Sequence, residues 1–391
     1  MIQTPEHYKG REQAYFKHSL LKAYLERLFM IVGQHQKTIC YVDCFAGPWQ
    51  ERSEALEDTS IAISLQIMQK CREGLKKLNI NVHFKALFIE QDQKAYEKLE
   101  NFLESKKEHV IETKSFHGNF FTLRPDVLSW CGEDSFVFFF IDPTGWKHAV
   151  ELSTLKPLLE RSNSEFLVNF MYDFLLRTHT QKAFENDIRE IFGEIPNTTE
   201  MTPEERENYL VTLYRTNLKQ IVPARDGRPR TACVKVLKVL KDRTLYHLVY
   251  LTHHSKGITE FMEASEKLDV VQKKLRVVAK QEYRIEKSGQ QEMFDANTIS
   301  GYDKGHVDLS EVKEYWLTRL SSIPRYFGVE EFADMLEETG WFIGDFQKAF
   351  GELVTDCKAR NLDDDKGRRR SQFVHYKVNG GKGERLVKIE A

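Results

Sequence analysis

The sequence contains no CxxC pair and no Cys/His set at zinc spacing. Its six cysteines, Cys40, Cys44, Cys71, Cys131, Cys233 and Cys357, stand singly, a pattern that predicts reduced, mostly buried thiols and no metal site. No apolar run reaches the roughly 20 residues of a membrane helix, and the opening MIQTPEHYKGREQ lacks the basic-then-apolar signature of a secretory leader. A cytoplasmic location without a membrane partner is therefore the expectation. Charge of one sign is also missing: the net is −2 over 391 residues, which excludes a protein basic all over, so any nucleic-acid contact must be local. No GxGxxG follows the first strand pattern, which disfavours a nicotinamide dinucleotide, and the absence of GxxxxGK[ST] excludes a P-loop. No internal repeat is evident.

The patterns that are present alternate between helix and strand. Leu21, Tyr24, Leu25, Leu28, Phe29 and Val32 fall at helical spacing within residues 12–32, and Gly33 supplies a stop. Ile39–Cys44 is a short apolar run that ends in an acid, Asp43, and enters the loop Phe45-Ala46-Gly47-Pro48-Trp49. Helical patterns over 60–75 and 93–106 flank a second such run, Phe84–Glu90. A third, Phe136–Asp142, is apolar without interruption, as in a strand buried on both faces. Phe166–Phe170 is a fourth. Strands alternating with helices predict a doubly wound, Rossmann-like α/β sheet. Three of its strands end in Asp43, Glu90 and Asp142, and ligands of such sheets bind beyond the carboxyl ends of the strands. Residues 180–230 read as a helical insertion. Val234–Leu240 and Tyr246–Thr252 then read as a C-terminal β-hairpin, followed by a long amphipathic helix over 257–280. The expected division is a sheet domain over 1–290, a linker over 291–306 and a small domain over 307–391.

S-Adenosylmethionine (SAM) suits this pattern of residues. The small-residue turn Ala46-Gly47 after the first strand lets backbone approach a ligand closely. Glu90 can accept both ribose hydroxyls, and Asp43 can orient the methionine ammonium. Asn119 can offer its amide to the adenine edge. Asp142 and Pro143 bring a carboxylate and a carbonyl to the position of the transferring methyl, where catalysis is mainly positioning. Against each reading stands an ordinary structural role: a strand-end acid is often a helix N-cap, Asn119 a turn residue, and Trp146 a core aromatic.

Lys17-His18, YVDCFAGPW, FIEQD, GN, FIDPTGW and YLTHHSKG together resemble the three-Cys-motif partner protein family, class I methyltransferase-like proteins of bacteria and phages. The resemblance covers most of residues 8–270. It implies SAM binding through Asp43, Phe45, Ala46, Gly47 and Glu90, and it makes Asp142-Pro143 the counterpart of the Asp-Pro-Pro-Tyr motif of amino-group methyltransferases. In that motif the Asp and the Pro carbonyl accept from the target amine, and an aromatic stacks on a flipped base. It also implies a partner protein carrying a three-cysteine motif. Two departures stand out: Trp49 replaces a second glycine, and Thr144-Gly145 replaces Pro-Tyr. Lys17 and Trp146 are the candidate substrate contacts at the rim.

In the tail, three helical patterns over 309–320, 329–338 and 345–360 precede two strand patterns, Ser371–Lys377 and Glu384–Ile389, around a glycine-rich tip. Such a set makes a small α+β winged helix-turn-helix domain, to which the family's C-terminal region is similar. From Lys366 onward eight Lys/Arg stand against Glu384 and Glu390. Arg368, Arg369, Arg370, Lys377 and Lys382 are the candidate phosphate contacts for DNA or RNA. Three readings follow: a methyltransferase acting on a nucleic-acid or nucleic-acid-associated substrate, a catalytically inactive scaffold for the partner protein, or a SAM-responsive DNA-binding regulator.

Overall fold

The computed structural model describes residues 8, 12–47, 59–106, 110–143, 149–178, 181–224, 227–288, 307–364 and 372–389. The chain divides into two compact units, the division along the chain falling between His253 and His254.

The first unit is built on a seven-stranded sheet. In chain order its elements are α1 (Glu12–Val32), β1 (Thr38–Asp43), α2 (Ser60–Lys77), β2 (His83–Glu90), α3 (Gln93–Ser105), β3 (Glu112–His117), α4 (Phe120–Cys131), β4 (Phe136–Ile141), α5 (Leu152–Leu159) and β5 (Ser164–Phe170). They continue with α6 (Tyr172–Thr178), α7 (Glu185–Phe192), α8 (Pro203–Ile221), β6 (Arg230–Leu237) and β7 (Thr244–Thr252). The strand order is β3-β2-β1-β4-β5-β7-β6. The strands from β3 through β5 are parallel, while β7 runs antiparallel to both β5 and β6. This is the doubly wound sheet with a C-terminal hairpin expected from the sequence.

The sequence of β4, FVFFFI, is buried at every position, because a central parallel strand has both faces covered by helices. Phe138 stacks on Tyr41 on one face and Phe139 on Phe166 on the other, with ring centroids 6.2 and 5.1 Å apart. The α1 helix turns Phe16, Leu20, Leu21, Tyr24, Leu25, Leu28 and Phe29 inward. Several elements differ from expectation; α4 is a helix the sequence pattern does not announce, with Pro125 inside it. β3 was not foreseen: its sequence ETKSFH is largely polar, and an edge strand needs little apolar surface. β6 begins four residues before the expected Val234 and ends at Leu237. Its extra residues Arg230 and Thr231 are buried, a placement their polarity conceals.

A buried polar knot ties α1 to the sheet. Glu165 of β5 accepts from the hydroxyls of Tyr24 (3.0 Å), Tyr250 (2.7 Å) and Thr252 (2.7 Å).

The second unit contains α9 (Ser255–Ser288), α10 (Leu309–Arg319), β8 (Arg325–Phe327), α11 (Val329–Thr339), α12 (Ile343–Thr355), β9 (Ala359–Asn361) and β10 (Glu384–Lys388). Its strands form an antiparallel sheet in the order β8-β10-β9. The packing groups α9 with these elements, whereas the expected boundary at 291–306 falls outside the described residues. The first two helices and the last strand stand where expected, but α12 ends at Thr355, short of the expected Arg360, which lies instead in β9. Residues 372–377 of the expected strand Ser371–Lys377 do not form one. They run through bends and turns, and Gln347 engages Val374 there in place of a ladder, accepting from its N–H (2.8 Å) and donating to its carbonyl (2.7 Å). The partner of β10 on that side is β9, directly after α12. Trp316, fully buried, packs on Phe327, Phe332, Phe346 and Phe350 and forms the core of this unit.

Glu165→Ala strips the shared acceptor from three buried hydroxyls. It is expected to destabilise the first unit by about 3 kcal/mol or more, measured as a lowered midpoint of urea unfolding followed by tryptophan and far-ultraviolet signals.

Candidate active site

The strand order places β1 between β2 and β4, so chain connections leave its carboxyl end in opposite directions and open a crevice there. The loop after β1 is fixed by both neighbours: Cys44 N–H donates to the Phe140 carbonyl (3.0 Å) and Ala46 N–H to the Ile89 carbonyl (2.8 Å). Asp43 ends β1 fully buried. Its Oδ1 accepts from the Phe45 N–H (3.2 Å) and its Oδ2 from the Ser60 hydroxyl (2.6 Å). Burial pushes the Asp43 carboxyl up to about 7; the Ser60 and Phe45 hydrogen bonds and the charge of Lys17 oppose the rise, and the nearby Asp142 adds to it. Tyr41 lies one pleat back on the same strand, and burial together with the Asp43 charge pushes its phenol well above the usual range.

Glu90 ends β2, and its Oε1 accepts from the Asp92 N–H (2.7 Å). Its other oxygen lies against the backbone of Gly47, where an added Cβ would sit 1.7 Å from Oε2. A side chain at 47 would push the Glu90 carboxylate, the far end of a flexible side chain, out of its present position. The Glu90 carbonyl accepts from Gly118 N–H (2.9 Å), and Gly118, at φ +140, turns the chain into Asn119. Asn119 is the N-cap of α4, its Oδ1 accepting from the Phe121 N–H at 2.8 Å. The helix start thus uses its carbonyl oxygen, a structural role that differs from the turn residue expected as the alternative for Asn119.

Asp142 follows β4. One of its oxygens is ion-paired with Lys17 of α1, and the other accepts from Asn169 Nδ2 at 2.6 Å. The side chains of Lys17 and Asp142 keep 15% and 17% exposure. Pro143 is buried. Asn169, at the end of β5, is buried with its Oδ1 unpaired among the described residues.

The structure therefore brings Asp43, Phe45, Ala46, Gly47, Glu90, Asn119, Asp142, Pro143 and Lys17 to one end of the sheet. Sequence reasoning missed Ser60 and Asn169. The serine resembles any residue at a helix start. The asparagine stands alone in the apolar run Phe166–Phe170, and that contrast was the available signal. Trp146 and Trp49 lie outside the described residues, as do Arg368, Arg369 and Arg370. Among the described residues no group of His, Cys, Asp or Glu could hold a metal ion, and no helix is long and apolar enough to cross a membrane.

In the second unit, Lys377 pairs with Glu260 and Glu263 of α9, each at 2.7 Å. Glu266, two helical turns from Glu260, accepts from Gly344 N–H at 3.0 Å at the start of α12. Arg385 pairs with Asp363 at 2.5 Å. The glycine-rich segment is folded down, for an added Cβ on Gly383 would meet the Phe327 carbonyl oxygen at 1.8 Å. Lys382 is exposed.

Because the folded Asp43 holds its proton up to about pH 7 and an unfolded one releases it near 4, the unfolded state binds fewer protons between those values. Stability therefore falls as pH rises from about 4 to 7, by roughly 4 kcal/mol from linkage. Urea unfolding of Asp43→Asn is expected to lack that slope. An unchanged slope would assign the titration to another group.

No family model matches the chain, and no curated protein matches it. Among solved structures it is similar to an O-methyltransferase from Bacillus cereus in complex with SAH, at 11% identity and a TM-score of 0.31, over 59% of this chain and 80% of that one. It is also similar to a precorrin-6y C5,15-methyltransferase from Geobacter metallireducens GS-15, at 10% identity and a TM-score of 0.27, over 59% and 87%.

Proposed function

We propose that the first unit binds SAM in the crevice beyond β1, β2 and β4 and transfers its methyl group to an acceptor held at Asp142. The observation that carries this reading is the contact of Glu90 with Gly47. A carboxylate at the end of the second strand, pressed against a backbone with no side chain, leaves the adjoining space to a flat polar ligand with a diol. Glu90 accepts the ribose hydroxyls, the loop Phe45-Ala46-Gly47 faces the methionine part, and Asp43 orients its ammonium, directly or through a water. Asn119 stands beside the adenine position, the two N–H groups of its Nδ2 being the donors still on offer once Oδ1 caps the helix.

Asp142 and the Pro143 carbonyl take the acceptor. The ion pair with Lys17 bears on which acceptor fits. An amine that donates to Asp142 must displace the Lys17 ammonium, so Lys17 gates the acceptor position and counters the charge of the carboxylate until the acceptor arrives. Trp146 is the proposed rim aromatic. A nucleic-acid or nucleic-acid-associated acceptor is the class to test first.

The second unit's order of helix, strand, two helices and two strands supports a winged helix-turn-helix reading. Two observations favour a protein contact over duplex reading for it. Lys377 is neutralised by Glu260 and Glu263, and a carboxylate, Glu266, already occupies the start of α12, where a phosphate would otherwise bind. A three-Cys-motif protein is the candidate partner, with Arg368, Arg369, Arg370 and Lys382 left as the possible nucleic-acid contacts.

Calorimetric titration with SAM and with its demethylated product tests the cofactor site. Micromolar binding is expected for the wild type. Binding should weaken at least tenfold in Glu90→Ala, which removes the diol acceptor, and in Gly47→Ala, which displaces the carboxylate. Transfer of labelled methyl groups to RNA, DNA and protein fractions tests the chemistry. Asp142→Asn is expected to keep SAM affinity within a few-fold and lose turnover by about a hundredfold or more; turnover unchanged in that variant would remove Asp142 from the reaction.

A further inference from the structure

The far edge of the sheet holds a second polar cluster, well apart in the strand order from the crevice. β6 is the edge strand and β7 its antiparallel neighbour. Lys235 lies directly opposite His247, and Cys233 is the diagonal neighbour of that histidine, within side-chain reach across two strands. The Cys233 Sγ lies 3.2 Å from His247 Nδ1, and His247 Nε2 lies 3.0 Å from Glu207 Oε1 of α8. The same Glu207 oxygen accepts from the Thr244 hydroxyl at 2.7 Å and pairs with Lys235 at 3.1 Å. Tyr172 of α6 presents its ring edge-on to the imidazole, with centroids 5.8 Å apart. His247 is 5% exposed, whereas Cys233, on the edge strand, is only partly buried.

We infer that Cys233, His247 and Glu207 form a reactive-thiol site, in which the carboxylate holds the imidazole protonated and the imidazolium holds the thiolate. Cys233 is then a site of modification by hydroperoxides and other small electrophiles.

The arrangement has the parts such a site needs. A carboxylate at one ring nitrogen demands an N–H there, and a thiolate at the other demands a second, so the doubly protonated ring is the form that satisfies both partners. Burial alone would raise the Cys233 thiol and lower His247. The pairing outweighs it: His247 is pushed up to about 9, and Cys233 is held below the ordinary thiol value. Glu207 is correspondingly driven down to about 2, its burial overcome by His247, Thr244 and Lys235. The other charges facing Cys233 favour the thiolate too. They are Lys235 on its own strand and Arg215 of α8, which is anchored on the Thr231 carbonyl at 2.9 Å.

Of the remaining cysteines, Cys40 is also held low, to about 7, by its hydrogen bonds with Cys131 and Ser135 and by the charges of Lys85 and Arg161 against its burial. It has no exposure, however, and Cys44, Cys71 and Cys131 are buried too. Cys357 is exposed, but its Sγ lies 3.9 Å from the Thr355 carbonyl oxygen, which stabilises no thiolate.

With a hydroperoxide, the thiolate attacks the terminal oxygen. An S–O bond forms and the O–O bond breaks. The sulfur is oxidised by two electrons to the sulfenic acid as the peroxide is reduced, and the departing alkoxide or hydroxide takes the proton from His247 Nδ1. With iodoacetamide an S–C bond forms and iodide leaves.

Iodoacetamide labelling of the intact native chain, mapped peptide by peptide between pH 6 and 9, tests the site without any cofactor. Cys233 is expected to label ahead of the more exposed Cys357 at pH 6.5, with an inflection clearly below the ordinary value of about 8.5. His247→Gln should slow Cys233 labelling at pH 6.5 by about tenfold or more and move the inflection to that of Cys357. Glu207→Gln should give a smaller change of the same sign, and the wild-type profile decides the matter should either variant fail to fold. Dimedone capture after peroxide should mark Cys233 first. A native Cys233 that stays unlabelled while Cys357 reacts, or one whose inflection is no lower than that of Cys357, overturns the inference.

Discussion

The burial of the Asp43 carboxylate is the constraint on which the rest of the first unit depends. A carboxylate with no exposure to water must be met by donors or kept protonated. The Phe45 N–H and the Ser60 hydroxyl supply part of that need. They also fix the turn after β1 and the start of α2, so the loop lining the crevice is held by the residue it surrounds. The chain enters the loop from a strand flanked by β2 and β4, which draws Glu90 and Asp142 to either side. Burial raises the Asp43 carboxyl and Asp142 adds to the rise, and the three acids at this end of the sheet lie in different environments. Asp43 is sealed, Glu90 is half-buried against Gly47, and Asp142 is balanced by Lys17 and Asn169. Three chemically similar groups thus meet three distinct surroundings.

The sheet serves a different purpose at its other edge. Here Cys233, His247 and Glu207 lie in line across β6, β7 and α8, polar groups carried on strands whose alternate residues belong to the core. The crevice depends on the carboxyl ends of parallel strands; this cluster depends on antiparallel pairing, which sets Lys235 opposite His247. In the second unit the acids of α9 do comparable work, Glu260 and Glu263 meeting Lys377 while Glu266 takes the start of α12. Charges that look like a free basic patch in the sequence are in part internal partners once a helix some hundred residues earlier packs on them.

The alternation of apolar runs and helical spacing determined the doubly wound sheet by itself, because strands buried on both faces must be apolar throughout and few other elements are. It also placed Asp43, Glu90 and Asp142 at strand ends, since an acid closing an apolar run has to lie at the border of the core. The tertiary structure alone decided what each acid meets. Lys17 and Asn169 are 125 and 27 residues from Asp142, and no local pattern links them. The polar edge strand β3, the buried start of β6 and the engagement of Ser371–Lys377 by Gln347 rather than by a strand escaped the sequence for a common reason. Each is fixed by a neighbour distant in the chain: β3 by its pairing with β2, Thr231 by Arg215, and Val374 by Gln347. Periodicity reports which face of an element is buried, whereas the identity of a polar partner is set only when the chain has folded back on itself.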